Sequence, residues 1–315
     1  MSRLERMPHS TRKRKSKPSV SIVGSGRLGT ALALALSGAG YSIDVMVARR
    51  RTHARKAALL LGSRASALGV ADLKLLPPSE VIFIATPDDE IGNVSEKLAR
   101  LTTNTVKRRF VLHTSGALSS DVLAPLAAAG FHVGSLHPLV SVSDPRSGSA
   151  SLSGAFYCVE GDPSAVRTAQ AMVRDLKGQS FAVPRGSKPL YHAAAVMASG
   201  HVVALYDLAV EMLMQCGLKR SKARRVLMPL IESTVNNLAI TDPARAMTGT
   251  FARGDLATVL RHLQSLSKGG STEALEVYRT LGAHALDLVQ GNGAETRASS
   301  EIRKALGSMA RDISR

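Results

Sequence analysis

The chain of 315 residues is long enough for two domains, and its aromatic content of 3%, with no Trp, is typical of a helix-rich α/β protein rather than an all-β one. Its two cysteines, Cys158 and Cys216, lie far apart and outside any metal-ligand spacing, which argues against a disulfide framework or a bound metal and favours a cytoplasmic protein. The net charge of +17 suggests nucleic acid, but the sequence lacks a helix-turn-helix spacing and an aromatic-interleaved basic patch, so we expect no specific nucleic-acid partner.

Part of this charge is concentrated at the N-terminus. Residues 1–17 carry seven Lys or Arg against one acidic residue, Glu5, and show no apolar periodicity. We therefore predict a disordered basic tail that attracts polyanions without specificity. The segment lacks the apolar region of a secretory signal, whereas its arginine-rich, acid-poor composition leaves a transit peptide open.

A glycine motif directly follows the tail. The apolar run 20–23 leads into Gly24-x-Gly26-x-x-Gly29, and a helix-forming run of Ala and Leu follows at once. Gly24 suits the tight turn, Gly26 allows a pyrophosphate to approach the backbone, and Gly29 allows the helix to pack closely on the strand. The helix N-terminus would then face the phosphates, so the motif predicts a dinucleotide site.

Apolar and helical runs alternate over residues 18–184, which predicts a doubly wound, parallel Rossmann sheet. The later strands are predicted at 43–47, 81–85, 110–112, 132–136, 156–159 and 181–183. Helices are predicted at 55–61, 91–101 and 121–129. Residues 141–154, rich in Ser, Gly, Asp and Pro, are predicted to form a mobile loop.

The remaining chain is predicted to be all-α. Residues 185–290 form a helical domain for substrate binding and dimerisation, and residues 291–315 an amphipathic C-terminal helix. The expected helices are 189–216, 219–239, 255–267, 271–290 and 295–313. The last has a stripe of Ile302, Leu306, Met309 and Ile313. The apolar stretch 193–210 is interpreted as a buried core helix rather than a membrane span, because polar residues interrupt it.

The end of the second strand indicates which cofactor is bound. An NAD site usually places Asp or Glu there, whereas this strand runs into Arg49, Arg50 and Arg51, which suit the 2′-phosphate of NADP. A solvated basic cluster is the alternative. The predicted cofactor-binding residues are Gly24, Ser25, Gly26, Arg27, Leu28, Gly29, Arg49, Arg50, Thr86, Pro87 and Asp88.

Candidate substrate-binding and catalytic residues follow the later strands or lie on the first long helix of the second domain. His113, Ser115 and His137 follow two strands at the edge where ligands bind in open α/β sheets. At about 100° per residue, Lys188, His192 and Ser199 share one helical stripe, and Lys or His could donate a proton during hydride transfer. Ordinary structural roles are the alternative for each. Arg253, between two glycines, could bind a substrate carboxylate or lie on the surface.

Several segments resemble a family that joins a Rossmann-like NADP-binding domain to a helical domain of unknown function, numbered 2520. The matching segments are GSGRLGTALALALSGAG, IATPDDEI, HTSGALSSDVLAPLAAAG, HPLVSV, GAFYCVEGD, YHAAAVMASGHVVALYDLA and TGTFARGDLATV. The resemblance implies relatives among the 3-hydroxyisobutyrate, pyrroline-5-carboxylate and prephenate-type reductases, and a helical domain that often mediates dimers. It does not indicate a substrate.

Two functions follow from these observations. The first is an NADP-dependent oxidoreductase that transfers a hydride between nicotinamide and a small carbonyl, imine or hydroxy compound, expected to be a carboxylate. The second is a non-catalytic NADP-binding sensor with the same fold. Convergence of Lys188, His192, His113 and His137 on the nicotinamide position would favour the enzyme, whereas scatter or apolar filling would favour the sensor.

Overall fold

The computed structural model describes residues 16–62, 65–101, 109–269, 271–291 and 296–308. It divides into two compact units, one ending at Ser199 and the other beginning at Gly200. The first unit therefore extends beyond the predicted boundary at residue 184 and includes the segment that carries Lys188 and His192.

The first unit is built on an eight-stranded sheet in the order β3-β2-β1-β4-β5-β6-β7-β8. Its strands are β1 Val20–Val23, β2 Ile43–Ala48, β3 Ser66–Gly69, β4 Val81–Ile84, β5 Phe110–His113, β6 His132–Pro138, β7 Phe156–Gly161 and β8 Gln179–Phe181. Its α-helices are α1 Arg27–Gly38, α2 Arg51–Leu60, α3 Asp88–Leu101, α4 Ala124–Ala128, α5 Pro145–Leu152, α6 Pro163–Asp175 and α7 Lys188–Met197. The predicted Rossmann sheet is thus confirmed.

Strands β1 to β6 are parallel, as predicted, but β7 pairs antiparallel with β6, and β8 is parallel to β7. The chain after β6 forms α5, which packs on α1, and then returns along the sheet edge as β7. In this antiparallel pair His137 lies opposite Cys158.

Alternate residues of the central strands enter two apolar cores, one on each face of the sheet. Ile22 and Phe83 belong to one core, and Val23 and Ile84 belong to the other. All four are fully buried, which explains why the strands read as continuous apolar runs rather than alternating ones.

The predicted mobile loop at 141–154 is wrong, because α5 forms within it. The Asp144 carboxylate accepts hydrogen bonds from the backbone N–H groups of Arg146 and Ser147 and caps the helix, and Pro145 occupies its first turn. Helix α6 was not predicted, although Asp162 caps it with the same chemistry. In both cases an Asp-Pro pair marks the helix start, and in the first case these residues were counted towards the predicted loop.

The predicted helix 189–216 is also interrupted. It forms as α7 and, in the second unit, α8 Gly200–Gln215. The Ser199 hydroxyl donates to the carbonyl oxygen of Ala195, and the Ser199 backbone N–H turns to Val196 instead. The regular i to i−4 pattern thus ends with α7, and Ser199 lies in the turn before α8.

The described residues of the second unit are helical, as predicted. Its further helices are α9 Arg220–Ile240, α10 Pro243–Ala246, α11 Leu256–Lys268, α12 Thr272–Gln290 and α13 Arg297–Ser308. Helices α11 to α13 form a core that includes the buried Ile302 and Leu306. These two residues confirm that half of the predicted stripe, whereas Met309 and Ile313 lie outside the described residues.

The interpretation of 193–210 as a buried core helix is wrong, since Val210 is the only buried residue of α8. The helical stretch Arg185–Gln215 is long and apolar enough to cross a membrane by length and composition, and little of it is buried in the structure. Soluble proteins also contain helices of this length and composition, so the stretch is weak evidence for a membrane span.

The end of the predicted basic tail is ordered. Residues 1–15 lie outside the described part of the chain, but Lys17 is docked on the first unit. Its ammonium group donates to the carbonyl oxygen of Ala39 at 2.6 Å, pairs with Asp175 at 2.8 Å and lies over the Tyr41 ring. The predicted disorder therefore does not extend to residue 17.

Candidate active site

The glycine turn after β1 has the geometry that a dinucleotide requires. Gly24 has a φ of +113°, and a Cβ there would lie 2.4 Å from the carbonyl of Ala85. A Cβ on Gly29 would lie 1.9 Å from the carbonyl oxygen of Gly24. A Cβ on Gly26 would meet no atom within 4 Å and would project into open space. The first and third glycines thus allow the turn itself, while the second leaves room for a ligand.

A cavity of about 730 Å³ opens beside this turn. Its lining residues come from the glycine turn, the end of β2 and the segment after β4: Gly24, Ser25, Gly26, Ala48, Arg49, Arg50, His53, Val70, Ala85, Thr86, Pro87, Glu90, Val94 and Lys97. The hydroxyl oxygens of Ser25 and Thr86 are buried without a hydrogen-bond partner among the described residues. Because buried hydroxyls rarely stay unpaired, these two fit a ligand with polar groups, such as a dinucleotide.

Two arginines lie at the β2 end of the cavity. Arg49 and Arg50 line it there, and sequence reasoning missed His53 and Lys97, which line other parts of the same cavity. The carboxylate within β2, Asp44, accepts hydrogen bonds from the hydroxyls of Ser42 and Ser79. It is thus held by structural partners, and the β2 end of the cavity carries arginine where an NAD site usually carries a carboxylate.

Ser115 connects this cavity with the candidate catalytic residues. Its hydroxyl donates at 2.8 Å to Asp88, the first residue of α3, and accepts from the backbone N–H groups of Ala117 and Leu118. Thr86 and Pro87, immediately before Asp88, line the cavity. The segment after β5 is thereby fixed against the segment after β4, both at the carboxyl edge of the sheet.

Lys188 reaches the same segment from α7. Its side chain is completely buried, and its ammonium group donates to Ser135 Oγ at 2.6 Å and to the Ser115 carbonyl oxygen at 3.2 Å. The Glu160 carboxylate lies 3.8 Å away and accepts from the backbone N–H and hydroxyl of Ser120. Burial lowers the pKa of Lys188, and Glu160 partly offsets that effect.

Three histidines surround the Ser115 segment. A Cβ added to Gly116 would lie 2.3 Å from His192 Nδ1 and 2.8 Å from His137 Nε2, so both rings face this glycine. The rings of His137 and His192 meet edge to face with centroids 5.5 Å apart. His113, at the end of β5, accepts a hydrogen bond from the backbone N–H of Ser115 through Nδ1.

Burial keeps two of these histidines neutral. It is the main cause that lowers the pKa of His113 to about 3, with a smaller contribution from Lys188. Burial also lowers the pKa of His137 to about 4, assisted by His192 and Lys188. His192 Nδ1 is buried without a hydrogen-bond partner among the described residues, which is uncommon for a buried ring nitrogen.

Other predicted site residues lie elsewhere. Arg27 and Leu28 begin α1, and neither lines the cavity. Ser199 is exposed and bonded within its own helix, so it does not join Lys188 and His192. Arg253 is an exposed residue of the second unit, and its assignment to a substrate carboxylate stays a prediction.

Sequence reasoning also missed Tyr191 and Glu160. Tyr191 binds His137 Nδ1 at 2.7 Å, and Glu160 is a buried acid next to Lys188. A charged residue inside the apolar strand β7 was a readable signal, because a buried carboxylate demands a partner. Tyr191 gave no signal, since its contact depends on how α7 meets the sheet edge.

Comparisons with known proteins agree with this architecture. A putative NADP oxidoreductase from Bacteroides fragilis, BF3122, is 20% identical, with a TM-score of 0.71 over 86% of this chain and 99% of its own. Protein TM1727 from Thermotoga maritima is 22% identical, with a TM-score of 0.65 over 86% and 98%. Plasmodium falciparum pyrroline carboxylate reductase, solved with NADP bound, is 12% identical, with a TM-score of 0.57 over 93% and 99%. At these identities the likeness concerns the fold.

Family models account for most of the sequence. A Rossmann-like domain matches residues 4–138, and a domain of unknown function, DUF2520, matches residues 155–285. The search of curated proteins found no match. The chain therefore belongs to the family that joins a Rossmann-like domain to DUF2520, as its sequence motifs predicted.

Proposed function

We propose that the protein is an NADP-dependent oxidoreductase that reduces or forms a small carbonyl, imine or hydroxy compound. The observation that carries the proposal is the connection through Ser115. One end of its segment is fixed to the start of α3, beside the cavity that fits a dinucleotide, and the other end lies between His137 and His192. A redox cofactor and proton-handling groups could thus act at the same sheet edge.

NADP is the proposed cofactor. The backbone at Gly26 and the Ser25 and Thr86 hydroxyls would hold its phosphates, and Arg49 and Arg50 would pair with the 2′-phosphate. When bound, NADPH supplies the hydride. That structural neighbours are named as NADP proteins or were solved with NADP supports the choice.

The histidine cluster would handle the proton that accompanies the hydride. His192 Nδ1 is an unpaired acceptor or donor, and His137 Nε2 faces the same glycine, so both can hydrogen-bond a substrate oxygen or nitrogen. Lys188 has no exposed surface, and we assign it to holding the Ser115 carbonyl and raising the local positive potential. We also propose that the substrate carries a carboxylate and that Arg253 binds it.

The test is binding first and turnover second. NADPH and NADH are titrated separately while the nicotinamide fluorescence is followed, and NADPH should bind more tightly. NADPH absorbance is then followed against pools of small keto acids, cyclic imines and hydroxy acids (the last with NADP). Tight NADPH binding without turnover in any pool would favour the sensor, and equal or tighter NADH binding would overturn the cofactor assignment.

We further propose that the chain forms a homodimer through its helical unit and resides in the cytoplasm. Helices α8 and α9 expose many large apolar side chains, including Val203, Leu230 and Ile240, which is 84% exposed. Many large apolar side chains exposed on two packed helices are typical of an interface, and both cysteines are free thiols, as expected in a reducing compartment. Light scattering after gel filtration without detergent would detect the dimer, and a monomer under these conditions would contradict the proposal.

A further inference from the structure

Cys158, His137 and Tyr191 form a connected triad at the edge of the sheet. His137 and Cys158 are directly opposed in the antiparallel β6–β7 pair, so their side chains are neighbours on one face. Tyr191 from α7 completes the group, because its hydroxyl lies 2.7 Å from His137 Nδ1 and its side chain is close enough to Cys158 to influence the pKa of the thiol. Cys158 is fully buried, and Phe181 packs edge to face on the Tyr191 ring.

The chemistry of the three groups determines the direction of the Tyr191–His137 hydrogen bond. The Tyr191 hydroxyl has a single proton to donate, and an imidazole nitrogen is a much stronger acceptor than a thiol sulfur. Burial raises the pKa of Cys158, so the group stays a neutral thiol, which is a weak acceptor. The Tyr191 hydroxyl therefore donates to His137 Nδ1, the stronger acceptor.

This direction leaves the ring proton of neutral His137 on Nε2. That nitrogen is the one that faces Gly116, 2.8 Å from where a Cβ would be. We propose that Tyr191 is a positioning residue that fixes His137 in the Nε2–H tautomer, so that a neutral N–H donor faces the Gly116 site. His137 would hold this tautomer whether or not the protein is an oxidoreductase. Only the role of the Nε2–H group as a donor to a substrate oxygen or nitrogen rests on the proposed function.

The charged and titratable groups around His137 agree with a neutral ring. His192 packs against its edge, Lys188 lies nearby, and both disfavour the imidazolium form. Tyr191 and Cys158 are both neutral at pH 7, since burial raises the pKa of each. A hydrogen bond to Nδ1 stabilises only the neutral ring, because protonation of Nδ1 removes the lone pair that accepts the bond.

The experiment is heteronuclear NMR of the histidine ring nitrogens in the full chain without ligand, where a His137→Gln spectrum assigns the signals. The wild type should show a single neutral tautomer with the proton on Nε2. In Tyr191→Phe the ring should populate both tautomers, and its pKa should rise from about 4 towards the ordinary histidine value. Circular dichroism would verify that the variant is folded.

The chain offers a matched control. Tyr278 and His262, in the second unit, also meet edge to face, and their hydroxyl-to-Nδ1 distance is 2.8 Å. Tyr278→Phe removes an equivalent hydroxyl and should leave the His137 signals unchanged. Cys158→Ala tests the direction, because the Tyr191 proton should stay on its bond to Nδ1 and the tautomer should persist.

Three outcomes would overturn the proposal: an Nδ1–H tautomer in the wild type, an unchanged tautomer in folded Tyr191→Phe, or a tautomer that changes in Cys158→Ala. These results are independent of NADPH binding and turnover. A failure of the proposed oxidoreductase function would therefore be distinguishable from a failure of this assignment.

Discussion

The carbonyl oxygen of Gly24 occupies the space that a side chain at Gly29 would need, since a Cβ there would lie 1.9 Å from it. Helix α1 can begin where it does only because position 29 lacks a side chain. A Cβ on Gly26, which lies between them, would meet no atom within 4 Å. Two glycines of the motif are therefore required by the fold, and the third is left for a ligand.

This distinction predicts that alanine will reduce stability at one position of the motif and NADPH affinity at another. Gly29→Ala should destabilise the first unit by about 1–3 kcal/mol or more, because the backbone must shift to admit the Cβ. Gly26→Ala should keep the melting temperature but lose NADPH affinity, because the methyl group projects into the cavity. Thermal unfolding and fluorescence titration separate the two effects.

The control for the glycine variants is Gly38→Ala at the end of α1, where a Cβ would also meet nothing within 4 Å. It should leave NADPH binding unchanged and raise stability by up to about 1 kcal/mol, because Ala favours the helix over Gly. If Gly26→Ala bound NADPH like the wild type, the cavity would not be the pyrophosphate site.

The arginines after β2 should determine the cofactor preference. Arg49→Ala with Arg50→Ala should weaken NADPH binding by roughly ten- to a hundredfold, since a charge-assisted hydrogen bond is worth about 1.5–3 kcal/mol. NADH affinity should change little, because NADH lacks the 2′-phosphate. Arg55→Ala is the matched control, because Arg55 lines a different cavity on the other side of α2. An equal loss for both cofactors would assign the arginines to a general electrostatic role.

Much of the first unit was predictable from the sequence, because its strands are apolar runs separated by helices of ordinary length. The antiparallel direction of β7 was not predictable, because the direction in which the chain returns after α5 is set by tertiary packing rather than by the local sequence. The site shows the same division. His113 and His137 were predictable from their positions after strands, but the Tyr191–His137 contact depends on where α7 crosses, which no local pattern encodes.

Ser199 shows how an extrapolated helical stripe can fail. The expected angle to Lys188 assumed one continuous helix, whereas α7 ends at Met197 and Ser199 lies beyond that end. Lys188 and His192, one turn apart, lie before that end. The periodicity argument therefore holds within α7 and not beyond it.

The buried histidines predict a loss of stability in mild acid. His113 and His137 have folded-state pKa values of about 3 and 4, below the ordinary 6.5, so between pH 6.5 and 4 the unfolded chain binds more protons than the folded one. The free energy of unfolding should therefore fall as pH falls through this range. Chemical denaturation at several pH values measures the slope.

His137→Gln should make that slope shallower, by up to about one proton, because it removes one of the groups that only the unfolded chain protonates. Identical slopes for wild type and His137→Gln would mean that His137 titrates alike in both states.

Lys17 defines where the dispensable part of the N-terminus ends. Deleting residues 1–15 should leave the melting temperature and NADPH affinity unchanged, since this segment carries charge without an apolar face. Lys17→Ala should cost about 0–1 kcal/mol, the usual range for a partly exposed ion pair. A drop of several degrees for the deletion would show that the basic segment is docked.

The catalytic assignment predicts different losses for residues that touch a substrate and residues that support the site. His192→Ala should lower turnover by roughly 100-fold or more with NADPH affinity nearly unchanged, because it removes the unpaired nitrogen beside Gly116. Lys188→Ala should lower turnover to a similar extent and also destabilise the first unit, because it removes one of the two cations beside the buried Glu160 and leaves only Arg185, 3.4 Å away. Turnover is measured with the first substrate that the NADPH screen identifies, and thermal unfolding gives the stability.

His132→Ala provides the comparison on the same strand. His132 begins β6, at the opposite end from His137, and lies 3.4 Å from Asp162 rather than beside Gly116. Its loss should leave turnover within about twofold of the wild type. Gly116→Ala should resemble His192→Ala, because the added methyl group would displace both imidazoles. If His192→Ala and Gly116→Ala turned over substrate as fast as His132→Ala, the histidine cluster would be structural and the sensor hypothesis would gain support.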